Sequence, residues 1–242
     1  MTRWMFVLIS LITLFAPAGA EALSVRPMQT IPGTTGNDVS WPNCREVKAV
    51  TGQFGVVGIN GGKVFTGNPC LREEAGWFPN STLAVYANTA NWGLPRGHNY
   101  VNFPLHCRAD DEMCVSYDFG YSAGKYAVTY ASSQGIHSEQ WWLDVETENS
   151  WTSSLSANRE ALQGIVDAVR RYTVFASIGF YATRTQWQEI VGDWQPDDAA
   201  WLATASDNAA TAATFCTYPS FTGGPIVMTQ YTQTLDLDRS CS

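Results

Sequence analysis

Two carboxylates stand two residues apart in the middle of the chain, at the end of the segment Trp141-Trp-Leu-Asp-Val-Glu146. The apolar run before them is typical of a buried strand, and side chains alternate along a strand, so Asp144 and Glu146 share one face. Two carboxyl groups held close in an apolar setting cannot ionise equally. Such a pair suits glycosidic bond cleavage, which needs one proton donor and one group that stabilises positive charge. The alternative, which the spacing leaves open, is that they form a solvated face of an edge strand with Glu148.

Further carboxylates and aromatic residues extend this pattern. Asp38 lies near the start of the chain, and Asp236 and Asp238 lie near its end. The chain also contains 10 Trp residues, whose flat rings can cover sugar faces, although core packing is the alternative for most of them.

A second motif points to different chemistry. Gly120-Tyr-Ser-Ala-Gly124 matches the Gly-x-Ser-x-Gly turn of serine hydrolases. Its triad needs a histidine late in the chain, and the last one here is His137, so we interpret the glycines as positions of close helix packing. The histidines and cysteines lack the spacing of metal ligands, and no phosphate-binding loop is present. The sequence therefore predicts neither a metal nor a cofactor.

The elements that must position these residues alternate between two types. Strand-like apolar runs occupy residues 54–59, 82–86, 141–146, 174–181, 201–205 and 225–231. Helical patterns occupy residues 117–134, 157–171, with Ser154 or Ser156 as the cap, and 184–191. This alternation predicts an α/β fold with a parallel sheet, and a (β/α) barrel of one domain over residues 37–242.

The N-terminal residues 1–20 have the features of a secretory signal peptide: Arg3, an apolar run and a small-residue cleavage pattern. The run is short for a membrane anchor, so we expect cleavage, no remaining membrane span and a secreted protein. Residues 21–36 are rich in Pro, Gly and Thr and are predicted to form a flexible leader. The formal net charge of −8 becomes −9 once Arg3 is removed, which argues against a nucleic-acid partner.

The six cysteines form an even set, which in an oxidising compartment predicts disulfides. Many pairings are possible. We expect the sequential one, in which the pairs are Cys44–Cys70, Cys107–Cys114 and Cys216–Cys241.

The order of these motifs resembles the glycoside hydrolase family 25 lysozymes, which are N-acetylmuramidases with an irregular (β/α) barrel. The matching segments are Asp38-Val-Ser40, Asp144-Val-Glu146, Gly179-Phe-Tyr181 with Trp187, and Gln230-Tyr231 with Asp236-Leu-Asp238. The resemblance spans residues 37–241.

The resemblance implies roles for individual residues. Glu146 is expected to be the general acid that protonates the leaving oxygen, and Asp144 to orient the 2-acetamido group or stabilise the oxocarbenium. Whether the second step uses Asp144 or the acetamido carbonyl of the substrate stays open. The residues expected to contact the glycan are Asp38, Trp142, Tyr181, Tyr231, Asp236 and Asp238. The expected partner is a cell-wall glycan or another polysaccharide, and the protein is expected to act as a monomer.

Three departures from the family pattern alter the expected cleft. The family usually carries Lys-x-x-Glu-Gly after the second strand, and residues 57–63 lack that Glu. Tyr86-Ala-Asn-Thr stands where Tyr-His is usual, and residues 201–205 lack a terminal aromatic. Two functions therefore stay open: a secreted glycosidase that cuts peptidoglycan, and a catalytically silent barrel that binds glycans or proteins at the cell surface.

Overall fold

The computed structural model describes residues 32–44, 50, 52–78, 82–93, 103–233 and 235–241. The predicted signal peptide (1–20) and most of the predicted leader lie outside these ranges. The first strand begins at Thr35, two residues before the predicted start of the barrel domain, so residues 35 and 36 belong to the barrel and not to a leader. Within the described ranges, no helix combines the length and the apolar character that a membrane crossing requires.

Eight strands of the described chain close into a barrel in sequence order. They are β1 (Thr35–Val39), β2 (Phe54–Gly58), β3 (Thr82–Asn88), β4 (Gln140–Asp144), β5 (Ser177–Ala182), β6 (Ala199–Ser206), β7 (Ile226–Thr232) and β8 (Asp236–Ser240). Neighbouring strands from β1 to β7 are parallel, whereas β8 lies antiparallel between β7 and β1. The predicted α/β class and single irregular (β/α) barrel are confirmed, and the antiparallel eighth strand is an irregularity of that barrel.

The helices of the described chain pack outside this barrel. They are α1 (Leu71–Gly76), α2 (Glu112–Ser133), α3 (Leu155–Tyr172), α4 (Arg184–Val191) and α5 (Ala209–Thr214). The Ser154 hydroxyl accepts a hydrogen bond from the backbone N–H of Ala157, so Ser154 and not Ser156 is the cap of α3. Helix α2 begins five residues before the predicted start because the Asp111 side chain caps it.

The helix pair α2 and α3 explains the Gly-x-Ser-x-Gly motif. The motif lies inside α2, where a Cβ on Gly120 would approach the Ala161 carbonyl oxygen to 1.8 Å. A Cβ on Gly124 would lie 2.8 Å from the carbonyl oxygen of Ile165. Both glycines are therefore required for close packing of the two helix backbones, and the motif is not a catalytic turn.

Three disulfides fasten the loops around the barrel. The cysteines pair as Cys44–Cys70, Cys107–Cys114 and Cys216–Cys241, which are the predicted pairs, and none is free. The first pair joins the segment after β1 to the start of α1, and the third joins the segment after α5 to the end of β8.

Candidate active site

The carboxyl groups singled out in the sequence meet at one end of the barrel. Asp144 is the last residue of β4, and Asp38 is the penultimate residue of β1. Asp236 is the first residue of β8 and lies at the same end because that strand is antiparallel. The C-terminal ends of parallel barrel strands are where the loops build binding and catalytic sites.

Asp144 is held in a nearly closed environment, with 3% of its surface exposed. The side-chain N–H of Asn88, its register partner on β3, donates to Asp144 Oδ2 at 2.6 Å. The backbone N–H and the hydroxyl of Thr89 both donate to the Asp144 carbonyl oxygen. The position of this carboxyl group is therefore fixed from both its main chain and its side chain.

Asp144 and Glu146 lie close enough for the charge of Glu146 to act on the buried Asp144 carboxyl group. Burial, followed by the charge of Glu146, raises the pKa of Asp144 well above its usual value. Burial, followed by the charge of Glu148, also raises the pKa of Glu146. The pair therefore retains a proton to a higher pH than isolated carboxyl groups do.

The backbone of Glu146 is anchored just beyond the end of β4. Its carbonyl oxygen accepts a hydrogen bond from the indole N–H of Trp151 at 2.8 Å and another from the backbone N–H of Asn149 at 3.2 Å. The side chain of Glu146 is only partly buried, in contrast to that of Asp144. Glu146 is therefore the member of the pair that a ligand can reach.

A second carboxyl pair, Asp38 and Asp238, lies in the barrel seam, which we define as the strands β7, β8 and β1. Asp238 is fully buried, and the charge of Asp38 acts on it. Burial and the charge of Asp38 raise the pKa of Asp238 well above its usual value. Burial raises the pKa of Asp38 to about 7, the Asp236 carboxylate adds to the rise, and a hydrogen bond from Gln230 opposes it.

Gln230 connects this second pair to an aromatic side chain. Its side-chain N–H donates to Asp38 Oδ2 at 3.0 Å, and its Oε1 accepts the Tyr181 hydroxyl at 2.7 Å. Gln230 thus links the predicted site residues Asp38 and Tyr181. Asp238 is its register partner on β8, and the charge of Asp236 acts on Asp38. Burial, together with the nearby carboxylates, raises the pKa of Tyr181 well above its usual value, so its hydroxyl stays protonated.

Trp142, which was predicted to contact the glycan, lies in the barrel interior and is fully buried. It packs edge-on against Trp201, with ring centroids 5.7 Å apart. Trp201 in turn lies 4.5 Å from the ring of Tyr181. The prediction for Trp142 is corrected because the ring lies beneath the carboxyl groups, in the apolar layer that supports them.

Tyr231 is also placed differently from its prediction. Side chains alternate along β7, so Tyr231 points away from the barrel interior into which Gln230 points. Only 5% of Tyr231 is exposed. The contact expected of Tyr231 is therefore corrected, and its neighbour Gln230 is the residue that reaches the carboxyl groups.

Sequence reasoning missed the amides and one phenol of this network. Asn88 lies two residues after Tyr86 on β3, and strand alternation places both on the interior face with Asp144 as their neighbour. A Cβ on Gly58 would lie 2.8 Å from the Tyr86 hydroxyl, so that glycine leaves room for the ring. The alternation of β3 was the available signal, and it depends on knowing that Asp144 points inward.

Among the residues that the structure describes, no group of three or more His, Cys, Asp or Glu side chains has the geometry to hold a metal ion. Two of the carboxyl groups of the site, those of Asp144 and Asp38, accept hydrogen bonds from the side-chain amides of Asn88 and Gln230.

Comparisons with known proteins find similarity to lysozymes. A family model described as "Lysozyme-like protein 1" matches residues 112–225. The probable GH family 25 lysozyme 5 of Dictyostelium discoideum is 34% identical over 65 residues, which are 26% of this chain and 30% of that protein. The match thus spans less than a third of the length of that relative.

Solved structures share the fold over most of the chain. The modular autolysin LytC from Streptococcus pneumoniae superposes with a TM-score of 0.56 at 12% identity, covering 86% of this chain and 46% of LytC. A family 25 glycosyl hydrolase from Bacillus anthracis superposes with a TM-score of 0.52 at 10% identity, covering 86% of this chain and 89% of that one. The sequence matches and the shared fold together show that the chain resembles the family 25 lysozymes, as a divergent relative of them.

Proposed function

We propose that the protein is a secreted glycosidase that hydrolyses β-1,4 glycosidic bonds of peptidoglycan, with Glu146 as the general acid. The observation that carries this proposal is that Glu146, which a ligand can reach, lies near the buried Asp144 and has a pKa that burial raises. A carboxyl group that keeps its proton at the open end of the barrel can give it to a glycosidic oxygen.

Substrate binding places the proton on the general acid, Glu146. Burial raises the pKa of both Asp144 and Glu146 in the free protein. An acetamido N–H that donates to Asp144 stabilises the Asp144 carboxylate, so that the proton of the pair lies on Glu146. Glu146 gives this proton to the leaving oxygen as the bond from that oxygen to the anomeric carbon breaks.

The spacing of the pair favours one form of the second step. In a two-carboxylate retaining mechanism the groups lie about 5 Å apart, on opposite faces of the sugar. Asp144 ends β4, Glu146 follows it by two residues, and the charge of Glu146 acts on Asp144, which places both on the same side of the sugar. The acetamido carbonyl oxygen therefore attacks the anomeric carbon, Asp144 orients that group, and water then opens the cyclic intermediate.

The substrate and the location follow from further observations. LytC has been solved in complex with a synthetic peptidoglycan ligand, with a TM-score of 0.50 to this chain at 11% identity. All six cysteines are paired, as expected in an oxidising compartment, and the sequence pattern of residues 1–20 is that of a secretory signal. These observations support a cell-wall glycan as substrate and export as the route.

The test compares purified wild type with Glu146→Gln on bacterial cell walls, with released reducing ends as the readout. We expect Glu146→Gln to lose activity by roughly 100-fold or more, because it keeps the shape but carries no transferable proton. Glu139→Gln is the matched control, since Glu139 is an exposed glutamate just before β4, at the opposite end of the barrel. Equal release by wild type and Glu146→Gln, or none by either, would refute the proposal for this substrate.

A catalytically silent barrel that binds glycans is the second candidate. The formal net charge of −8 favours it, because anionic wall polymers are repelled by an acidic protein. Cell walls that retain both wild type and Glu146→Gln without any release of reducing ends would support this candidate over the enzyme.

A further inference from the structure

Two exposed tryptophans flank the loop between β2 and α1, in the segments that follow the C-terminal ends of β1 and β3. Trp41 is 47% exposed and Trp92 is 48% exposed, although both rings contact the protein. Trp41 follows Asp38 of the site by three residues, and Trp92 follows Asn88 of the site by four. Both indoles therefore follow the ends of β1 and β3, which carry Asp38 and Asn88 at the open end of the barrel.

The position of Trp41 is fixed by its neighbours. It begins a short 3₁₀ turn, Trp41–Asn43, directly after β1, and the next residue, Cys44, is bonded to Cys70. A Cβ on Gly62 would lie 2.8 Å from Trp41 Nε1, so only glycine leaves room for the indole there. Gly62 also has a φ of +82°, which favours glycine.

The position of Trp92 is fixed from the other side of the same loop. Its ring centroid lies 6.1 Å from that of Phe65, a residue of the β2–α1 loop. It also lies 5.2 Å from the ring of Phe119 on α2. Half of the Trp92 side chain nevertheless stays open to solvent, so its ring is supported without being covered.

We propose that Trp41 and Trp92 form an aromatic wall that binds the faces of β-linked N-acetylhexosamine rings outside the scissile bond. The proposal rests on the proposed function, since it takes the same class of glycan as ligand. Pyranose rings with equatorial substituents present C–H groups on both faces, and these pack against flat aromatic rings. The wall lies where residues 57–63 depart from the family pattern, because Gly62 in that stretch accommodates Trp41.

The charges around the wall distinguish two sources of such rings. Lys63, exposed in the same loop, is a cation that favours the carboxylates carried by peptidoglycan, whereas chitin oligomers are neutral. The experiment therefore uses two probes, chitotetraose and a peptidoglycan tetrasaccharide with its peptides attached. The shared N-acetylhexosamine ring is the chemistry that the wall binds in either case.

The test measures the Kd of both probes by calorimetry in the Glu146→Gln background, which prevents turnover. We expect Trp41→Ala and Trp92→Ala each to weaken at least one probe by about tenfold, and the corresponding Phe variants to retain most of the affinity. Phe175→Ala is the matched control, because Phe175 is 76% exposed in the loop before β5, at the opposite end of the barrel. If an alanine variant fails to fold, leucine at that position keeps an apolar side chain without a flat ring and should show the same loss.

The proposal is overturned if neither probe binds the parent, if only one indole matters, or if Phe175→Ala causes an equal loss. Reducing-end release by the chain with Glu146 intact is measured separately. Failure of the proposed function appears there as absent cleavage, whereas failure of the wall appears as unchanged Kd values.

Discussion

Replacement of Asp238 by Asn should make the protein more stable at neutral pH and leave it nearly unchanged under acidic conditions. Asp238 is fully buried, and its pKa is raised well above the usual value by burial and by the charge of Asp38. A carboxyl group whose pKa is higher in the folded than in the unfolded state stabilises the fold while it is protonated. That contribution is present in full below the unfolded pKa and is lost as the pH rises through the folded pKa.

The magnitude follows from this linkage. Each such carboxyl lowers the free energy of unfolding by up to about 1.4 kcal/mol per pH unit within its window. From pH 5 to pH 7, Asp238 therefore accounts for a loss of up to about 2.7 kcal/mol in wild type. Asn has a similar shape but cannot ionise, so the variant lacks this part of the loss. Asp38, whose pKa is raised to about 7, continues to titrate in both proteins.

Urea unfolding at pH 5, 6 and 7, followed by tryptophan fluorescence with the disulfides intact, measures the difference. We expect the difference between Asp238→Asn and wild type to grow in favour of the variant as the pH rises. Asp207→Asn is the control, because Asp207 is an exposed carboxylate near the end of β6. A difference that stays constant over this range, or that grows equally for Asp207→Asn, would refute a raised pKa for Asp238.

Two further predictions test the acid and the helix pair. Glu148→Gln removes a charge that raises the pKa of Glu146. Because the acid must be protonated, the alkaline limb of the kcat/KM profile should move to lower pH, by about 0.3 units at low salt and less at high salt. An upward or absent shift would contradict this. Gly120→Ala places a Cβ 1.8 Å from the carbonyl oxygen of Ala161, so urea unfolding should show a loss of about 1–3 kcal/mol. Gly76→Ala, where a Cβ meets nothing within 4 Å, should be close to neutral, and equal effects of the two would disprove the packing argument.

The alternation of apolar runs and helical patterns was sufficient to predict the barrel, because its central strands are buried on both faces. It did not reveal β1 or β8, where Asp38, Asp236 and Asp238 put charge on the interior face and remove the apolar signal. The helices α1 and α5 have six residues each, too few to display a helical period. The missing elements are thus those whose sequence is shaped by the site or is too short to carry a pattern.

The sequence identified the carboxyl groups of the candidate site, but it did not show how deeply the neighbouring side chains are buried. The spacing of Asp144 and Glu146 predicted that they lie close together, and the charge of Glu146 does act on Asp144, although β4 ends at Asp144. The same alternation places Trp142 on the interior face, but how far below the opening it lies depends on barrel closure, which the sequence does not report. Gln230 is the register partner of Asp238, so its side chain lies on the same interior face as the carboxyl groups of β8, and this relation could have identified it.

The barrel seam has a consequence for the order in which the molecule becomes functional. The hydrogen bond from Gln230 to Asp38 joins residues 192 positions apart, and that from Asn37 to the Asp236 carbonyl spans 199. Contacts so distant in sequence carry the largest loop-closure entropy and form late in folding. The second carboxyl pair therefore comes into existence only when the ring of strands closes, so a partly folded chain carries the Asp144–Glu146 segment but not the complete constellation.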